Sequence, residues 1–398
     1  MQTAAVLWHV SLLVPDDRRA LALGMVGLVR IGPILLFSMI SGVAADAFNR
    51  RTLMLITQSV MAVLAAALAV ITLGGLTVVW PIYVVAALSS AAGAFDLPAR
   101  QSLVPTLVPR DALPNAISLN TIAIQIASVA GPALGGLVIA TKGVGWVYAA
   151  NAISFGFVLG ALLMMTGTGA AHLEARQAND RGNFTMKAAL EGLQFVFRAP
   201  LIRSTMLLDF FATFFSSATA LLPIFAQDVL HVGARGYGWL YAAPAVGAVL
   251  ASGVMVRAVD SIERRGAVLV GSVLVYGAAT VAFGLSTMFW LTFGCLAAAG
   301  AADTVSMVFR NLIRQMETPD ALRGRMTGVN MVFFIGGPQL GELEAGLVAN
   351  WLGPVVSVVT GGLGCLIATG WIAAATPALR AYARTPLPSA AESSDANP

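Results

Sequence analysis

Five ionisable residues lie deep inside long apolar segments of this sequence. They are Arg30, Asp209, Asp303, Glu342 and Glu344. A charge near the centre of a bilayer costs about 2.5–3.5 kcal/mol on insertion scales unless it faces protein or water, so each one needs a reason. A carboxylate there can carry a proton during transport, or it can be a structural group bonded to a neighbouring helix. For the two aspartates both roles remain open at this stage.

Polar side chains follow helical spacing at three places. The sets are Asp209, Thr213 and Ser216; Asp303 and Ser306; and Thr121, Gln125 and Ser128. Residues spaced by three, four or seven positions share one side of a helix, so each set predicts a polar stripe that faces protein rather than lipid. We predict that the Thr121 stripe contacts substrate, and that Thr213 and Ser216 do so beside Asp209.

The composition around these residues is that of a membrane protein. Of 398 residues, 58% are hydrophobic and 11% are charged, against about 25% charged in soluble proteins. The net charge of +4 is too small for a nucleic-acid-binding face. The two cysteines and three histidines are scattered, which excludes a clustered metal site, and no phosphate-binding loop motif is present. We therefore predict no cofactor and no metal. An intramembrane enzyme would need a nucleophile with a base, or a metal triad, and the sequence offers neither.

Eleven segments are long and apolar enough to cross a bilayer as helices, which takes about 20 residues each. The segments are Ala20–Ala45, Thr52–Leu73, Val78–Val104, Asn115–Thr141, Val144–Thr166, Ile202–Val229, Tyr237–Val259, Gly266–Leu285, Met288–Arg310, Thr327–Asn350 and Pro354–Ala375. Met1–Val14 precedes them and is too short to span. We expect it to be the second half of a first helix whose beginning is missing from this sequence.

The basic residues predict the orientation. Alternating loops place eighteen of the 23 Lys and Arg residues on one side and four on the other, with Arg30 inside a helix. Cytoplasmic loops carry such an excess, so the C-terminus is expected in the cytoplasm. Six of the seven tryptophans, Trp8 among them, fall toward the outer helix ends, as an interfacial aromatic belt requires.

Short motifs recur in the two halves of the chain. Asp46 with Arg50 and Arg51 matches Asp260 with Arg264 and Arg265, and Gly131-Pro132 with Gly135 matches Gly337-Pro338 with Gly341. Asp111 and Asp320 provide a third match between them. The same order in both halves predicts two six-helix bundles (6+6) that are parallel repeats related by a pseudo-two-fold axis along the membrane normal.

The predicted units are an N-terminal bundle 1–166, a cytoplasmic linker 167–201, a C-terminal bundle 202–376 and a disordered polar tail 377–398. Within the linker, Met186, Leu190, Leu193 and Phe197 predict an amphipathic helix at the membrane surface.

Several of these motifs resemble the major facilitator superfamily. Gly42-Val43-Ala44-Ala45-Asp46 with Arg50-Arg51 resembles its loop signature, and Gly131-Pro132 with Gly135-Gly136 is similar to a motif of its exporters. Phe95 to Gln101, and Thr318-Pro319-Asp320 with Arg323-Gly324-Arg325, resemble its bacterial efflux branch of transmembrane secretion effectors, which includes the enterobactin exporter. The sequence departs from the superfamily in lacking the usual arginine within the segment that begins at Val78, which puts transfer of the family's proton-coupling residues in doubt.

The resemblance implies roles for the residues singled out above. It implies that Asp46, Arg50 and Arg51, with Gly42 and their counterparts Asp260, Arg264 and Arg265, form a conformational latch; the alternative role for these charges is positive-inside charge with helix capping. It implies close packing at Gly131, Pro132, Gly135, Gly136, Gly337, Pro338 and Gly341. It also implies that the helices of Arg30 and Glu342 face each other. Because the two residues lie at equal depth in the membrane, we predict an ion pair between them, which either loosens during transport or is a fixed structural pair. Because two residues on a helix lie about 200° apart, Glu342 and Glu344 cannot both face Arg30.

The expected function is that of a secondary exporter. By resemblance, it would move a small amphipathic molecule such as a siderophore or drug across the bacterial inner membrane by proton-coupled alternating access, as a monomer. A proton-coupled importer on the same fold is the alternative, and an intramembrane enzyme is the less favoured one.

Overall fold

The computed structural model describes residues 1–109, 112–165, 186–319 and 322–383, and nearly all of them are helical. The repeat positions Asp111 and Asp320, most of the linker and the tail from residue 384 lie outside the described residues. The helices are α1 (Gln2–Leu13), α2 (Asp16–Ala47), α3 (Arg50–Leu73), α4 (Trp80–Leu107), α5 (Leu113–Lys142), α6 (Val144–Met164), α7 (Met186–Arg198), α8 (Pro200–Phe215), α9 (Gly233–Ala258), α10 (Arg265–Leu285), α11 (Phe289–Glu317), α12 (Arg323–Leu352), α13 (Pro354–Ala375) and α14 (Pro377–Ala381).

Ten helical segments among the described residues are long and apolar enough to cross a membrane, one fewer than the eleven expected. The segment that falls short is α12, which has 30 residues but a lower hydropathy because it contains Arg323, Arg325, Glu342 and Glu344. It packs along α2 on one side and along α8 and α13 on others. Helix contacts therefore bury Glu342, which hydropathy alone would place outside the bilayer.

The segment expected as one helix from Ile202 to Val229 is broken. Helix α8 ends at Phe215, a 3₁₀ turn follows at Ala218–Leu221, and a short helical stretch at Leu222–Ile224 continues into a π-helix at Phe225–Val229. Pro223 has no N–H, and its ring crowds the carbonyl group of Thr219, which favours an interruption of the helix in the stretch before it. We call residues 218–229 the bent segment.

Arg310 and Arg314 are two of the eighteen basic residues that the sequence places on the cytoplasmic side by counting alternating loops, and helix α11 contains both. It extends to Glu317, seven residues beyond the predicted end at Arg310, and both Arg310 and Arg314 are buried inside it. Counting them among the basic loop residues was therefore wrong. Their charges are compensated by Asp209 of α8 and Asp303 of α11 itself, which the hydropathy of the local sequence does not reveal.

One end of the helix bundle is sealed by a shared hydrophobic core. We call it the closed end; it carries the connections at residues 14–15, 143, 230–232 and 353. Residues of α1, α2, α4 and α6 pack there with Leu221, Leu222 and Phe225 of the bent segment and with Tyr237 of α9. Trp8 belongs to this core and packs against Tyr237 with tilted rings at a centroid distance of 5.0 Å, so it is not part of an interfacial belt. The five other tryptophans expected there are exposed.

Close helix crossings join the first and second halves of the chain near this end. Helix α2 meets α12 at Gly24 and Gly346, and α5 meets α9 at Gly136 and Gly238. A Cβ atom on Gly136 would lie 2.6 Å from the Ala234 carbonyl oxygen and 2.7 Å from the Gly238 Cα. The backbones approach this closely only because side chains are absent on both helices.

Two segments outside the spans pack against the second half. In α7, Val196 is buried with Ile202 and Met206 of α8 and Met326 of α12, whereas Leu193 and Phe197 of the predicted stripe are exposed. The expected disordered tail begins instead with α14, whose Leu379 is fully buried, and the Tyr382 carbonyl oxygen accepts a 2.9 Å hydrogen bond from Gly266 N–H.

We predict that Gly136→Ala destabilises the purified protein because its methyl group overlaps the α9 backbone. Overpacking of this kind costs about 1–3 kcal/mol and should lower the apparent melting temperature. Gly156→Ala is the matched control, since no atom lies within 4 Å of the added methyl group. Equal melting temperatures for the two variants would contradict the proposed tight crossing.

Candidate functional site

A cluster of buried charges connects α8 with α11 in the second half of the chain. Arg310 is 1% exposed, and its Nη1 lies 2.9 Å from Asp209 Oδ1 while its Nη2 donates a 3.1 Å hydrogen bond to Asp303 Oδ1. Asp303 and Arg310 are seven residues apart, two turns along the same face of α11. One guanidinium therefore serves two carboxylates.

Arg314 extends this cluster toward α12. Its Nη1 lies 3.8 Å from Asp209 Oδ2 and also bonds Asn330 Oδ1 on α12, while its Nη2 donates a 2.7 Å hydrogen bond to Asn311 Oδ1. The four charged groups, two acidic and two basic, balance one another. Three helices thus meet around a cluster with no net charge, which is how buried charges are stabilised in an apolar interior.

Asp209 is held by charge rather than by directed bonds. It is 1% exposed, and neither of its carboxylate oxygens accepts a hydrogen bond of good geometry from a described residue. A carboxylate with unfilled lone pairs can take a proton, and Arg310 would then keep Asp303 as its partner. Arg314 would lose its carboxylate partner among the described residues and keep its hydrogen bonds to Asn311 and Asn330.

Glu342 lies at the crossing of α12 and α2. It is 8% exposed, its Oε2 has no hydrogen-bond partner among the described residues, and it stands 3.0 Å from where a Cβ atom of Gly27 would be. Arg30 and Tyr241 are close enough to interact with it electrostatically, but no N–O distance of 4 Å or less joins Arg30 to Glu342. The structure brings these groups to one crossing without a direct ion pair. Glu344 is half-buried and makes no hydrogen bond or ion pair with a described residue.

The structure also shows a buried carboxylate that the sequence analysis did not single out. Asp96 of α4 is buried and accepts hydrogen bonds from Thr57 Oγ1 at 3.1 Å and Gln58 Nε2 at 2.8 Å, both on α3. Its second oxygen pairs with Arg100 one turn later. The i, i+4 spacing of Asp96 and Arg100, inside a segment expected to span, was the available signal.

Residues of the predicted latch lie at the opposite end from the closed end. The surroundings of Gly42 and the side chain of Asp46 lie outside the part of the structure that is described. Arg51 donates hydrogen bonds of 2.7 and 2.9 Å to the carbonyl oxygens of Leu162 and Leu163 at the end of α6. Arg50 and Asp260 each have an interaction partner, Arg264 is exposed, and Arg265 is buried beside α14.

The two glycine-proline motifs lie within helices and serve different neighbours. Around Pro132 of α5, Gly131 and Gly135 face Met1, whereas Gly136 faces α9. Around Pro338 of α12, Gly337 and Gly341 face α8 at Thr213 and Phe214. The motif thus lets different helices approach in the two halves.

The predicted substrate stripes differ in what their hydroxyl groups do. Thr121 and Ser128 are exposed and bond their own helix backbone, and Gln125 is half-buried between them. Thr213 bonds the Asp209 carbonyl oxygen, and Ser216 lies at the end of α8 with its hydroxyl unpaired. The polar stripe of α8 therefore leads from the charge cluster to the break in the helix.

Comparisons with known proteins agree with this architecture. The family model described as transmembrane secretion effector matches residues 1–393. The enterobactin exporter EntS of Escherichia coli O1:K1 is 28% identical over 348 residues, covering 87% of this chain and 82% of the relative, and the EntS protein of Shigella boydii serotype 18 gives the same values.

Solved structures share the fold at low sequence identity. A POT family transporter in complex with a thioalcohol-conjugated peptide has a TM-score of 0.71 at 10% identity, covering 95% of this chain and 93% of that chain. A D-xylose-proton symporter has a TM-score of 0.67 at 14% identity, covering 93% of each chain. A bacterial homologue of the lysosomal transporter Spinster, in an inward-facing and unoccupied conformation, has a TM-score of 0.68 at 14% identity, covering 97% of each.

We predict that Arg310→Leu strongly destabilises the protein because it leaves two carboxylates with inadequate compensation. Removing one partner of a buried pair costs about 3–5 kcal/mol. Adding Asp209→Leu to Arg310→Leu should restore part of the loss, measured as apparent melting temperature in detergent. Arg257→Leu, at an exposed position of α9, is the control and should change little. A double variant no more stable than Arg310→Leu alone would refute the coupling of Asp209 with Arg310.

Proposed function

Because this chain belongs to the transmembrane secretion effector family of the major facilitator superfamily, we propose that it is a secondary transporter that exports a small amphipathic molecule by proton-coupled alternating access. The observation that carries the proposal is the sealed end, where the two halves meet through close helix crossings. In alternating access, one side of the central pathway is closed while the other side is accessible.

The distribution of exposed side chains supports a pathway accessible from the opposite end. The crossings of α5 with α9 lie at residues 132–136 and 234–238. Farther along, the side chains of Leu119 and Ile126 on α5 and of Leu250 and Val254 on α9 are exposed. Helices that pack tightly at one end and expose apolar side chains at the other can separate at the second end. The exposed side chains would then line a central cavity or face the lipid.

The closed end would face outward and the accessible end the cytoplasm. Arg50, Arg51, Arg264 and Arg323 lie at the accessible end, where the positive-inside rule places basic residues. In this orientation the C-terminus is cytoplasmic, and the membrane is the bacterial inner membrane. We propose that the chain acts as a monomer made of a bundle 1–166, a linker 167–201 and a bundle 202–376, with residues 377–398 after it.

Aromatic side chains support an amphipathic substrate of substantial size. Phe210 and Phe214 of α8 stack at a centroid distance of 5.7 Å, and Phe333 of α12 meets Phe210 edge-on at 6.0 Å. In the first half, Phe37 and Phe95 are 5.6 Å apart. All five rings are partly exposed. Such surfaces suit the apolar or aromatic part of a siderophore or drug, and the relatives are named as enterobactin exporters.

Transport into inverted membrane vesicles tests the proposal. An exporter loads labelled substrate into these vesicles when their interior is acidified, and the accumulated substrate leaves when the gradient is dissipated. Catecholate siderophores and a panel of amphipathic drugs are the probes. Substrate efflux down the same gradient, which is the behaviour of a proton-coupled importer, would overturn the proposal.

We predict that Glu342→Gln slows proton-driven transport and changes its dependence on pH. The carboxylate at the α2–α12 crossing would no longer alternate between protonated and charged forms near Arg30. Arg30→Ala should change the same parameters. Glu344→Gln is the matched control, because it lies about 200° around α12 from Glu342 and should have a smaller effect. Unchanged rates and pH profiles in both Glu342→Gln and Arg30→Ala would exclude this coupling role.

We also predict that the ion pair of Arg19 with Asp228 stabilises the closed end. Arg19 on α2 lies 2.9 Å from Asp228 in the bent segment and also pairs with Asp16 on its own helix. Asp228→Asn should therefore increase labelling of Ala20→Cys, a buried position beside Gly346, by a membrane-impermeant thiol reagent. Asp16→Asn breaks a pair within α2 and should leave the labelling rate unchanged. Similar labelling in both variants would show that the interhelical pair is not a gate.

A further inference from the structure

A cavity lies inside the second half of the chain, at the break in α8. Its volume is about 120 Å³, room for about four water molecules at 30 Å³ each. The wall is formed by the end of α8, the bent segment, α9, α10 and α11. The cavity is separate from the crossings that join the two halves and does not border the Arg30–Glu342 region, whereas Phe283 and Leu296 of its wall also belong to the core of the closed end.

Three oxygen atoms in this wall have unfilled hydrogen-bonding capacity. Ser216 is 7% exposed, and its hydroxyl contacts only the thiol of Cys365, which is a weak hydrogen-bond partner, so it keeps capacity for a stronger ligand. The Tyr276 hydroxyl and the Oδ2 atom of Asp303 make no hydrogen bond or ion pair with the residues that the structure describes. By contrast, Thr280, also in the wall, is satisfied by the Tyr276 carbonyl oxygen at 2.9 Å.

The charge on Asp303 is only partly compensated. Its guanidinium partner, Arg310, is shared with Asp209, which has Arg314 as a second cation. The Asp303 side chain is 41% exposed, whereas that of Asp209 is 2% exposed. The free oxygen of Asp303 therefore keeps negative character on a surface that water or an ion can reach.

The break in α8 adds a second source of negative potential. The last carbonyl groups of a helix have no partners within the helix and form the negative end of its dipole. At the end of α8, the Ser217 hydroxyl donates a hydrogen bond to the Thr213 carbonyl oxygen. The carbonyl groups that follow Thr213 come immediately before the 3₁₀ turn. Unwound backbone of this kind coordinates Na⁺ in other transporter folds.

We propose that this cavity is a binding site for a small hydrated monovalent cation, Na⁺, held by Asp303, Ser216 and Tyr276 together with water. Carboxylate, hydroxyl and carbonyl oxygens are the ligands that hard cations prefer, and the wall offers no histidine. The remaining wall, with Phe283 and Leu296, is apolar and limits the number of waters that accompany the ion. Bound there, Na⁺ would hold α8 and the bent segment against α10 and α11.

The role of the ion in transport rests on the proposed function, but its binding does not. The test is therefore the apparent melting temperature of the full chain in detergent, without substrate, as NaCl replaces choline chloride at constant ionic strength. Na⁺ should raise the melting temperature in a saturable manner, because a ligand that binds only the folded state stabilises it. Asp303→Asn should weaken the apparent Na⁺ affinity by about tenfold or more, since an amide replaces a charged ligand.

Two milder variants keep the test decisive if Asp303→Asn folds poorly. Ser216→Ala and Tyr276→Phe each remove one oxygen and should raise the half-saturating Na⁺ concentration. Ser272→Ala on the same α10, whose hydroxyl bonds the Leu269 carbonyl oxygen away from the cavity, should not.

A stabilisation by Na⁺ no greater than that by choline would overturn the proposal and leave a cavity that holds water. Na⁺ affinity unchanged in Ser216→Ala and Tyr276→Phe would also overturn it, because the ion would then lie elsewhere. A chain that binds Na⁺ at this site but fails the vesicle assay would refute the proposed function alone. A chain that exports substrate but shows no Na⁺ effect would refute the cation site alone.

Discussion

The energetic constraint on this molecule is that a charge among apolar helices must be matched by another charge or by oriented polar groups. Arg310 meets that constraint for the second half of the chain, since its guanidinium lies between Asp209 of α8 and Asp303 of its own helix. Arg314 then connects the same cluster with α12. The positions of α8, α11 and α12 follow from this arrangement, because moving any one of them would separate the buried groups Asp209, Arg310 and Arg314 from their partners.

The first half meets the same constraint by different means. Asp96 is satisfied by a hydroxyl and an amide group of α3 and by Arg100 on its own helix, so its bonds are directed and nearly complete. Asp209 has charged neighbours but no directed hydrogen bond. Two halves with recurring sequence motifs therefore contain one carboxylate that is satisfied by directed hydrogen bonds and one that depends on ion pairing with Arg310 and Arg314. This difference makes the second half the better suited of the two to respond to a change in protonation.

Much of the fold could be predicted from hydropathy alone, because a helix that crosses a bilayer must be apolar over about 20 residues. The features that hydropathy did not predict depend on interactions between residues distant in sequence. Arg310 and Arg314 end an apolar run and resemble loop residues until Asp209 is placed beside them. The break after Phe215 lies in a continuous apolar segment, where Ser216, Ser217 and Pro223 were the only local signals. Depth along the helices suggested that Arg30 and Glu342 are neighbours, but depth cannot give the side-chain distances, which depend on packing around Gly27.

The break between α8 and the bent segment separates two regions that have different roles although they are continuous in sequence. Helix α8 belongs to the charge cluster, whereas Leu221, Leu222 and Phe225 belong to the core of the closed end. A straight helix would transmit any rotation rigidly, so that both regions would have to move in one step. A flexible connection between them allows α8 and the bent segment to move one after the other. Two local rearrangements with small free-energy barriers then replace one concerted movement with a large barrier. The turnover rate would then depend on how stiff this connection is as well as on the chemistry at either side of it.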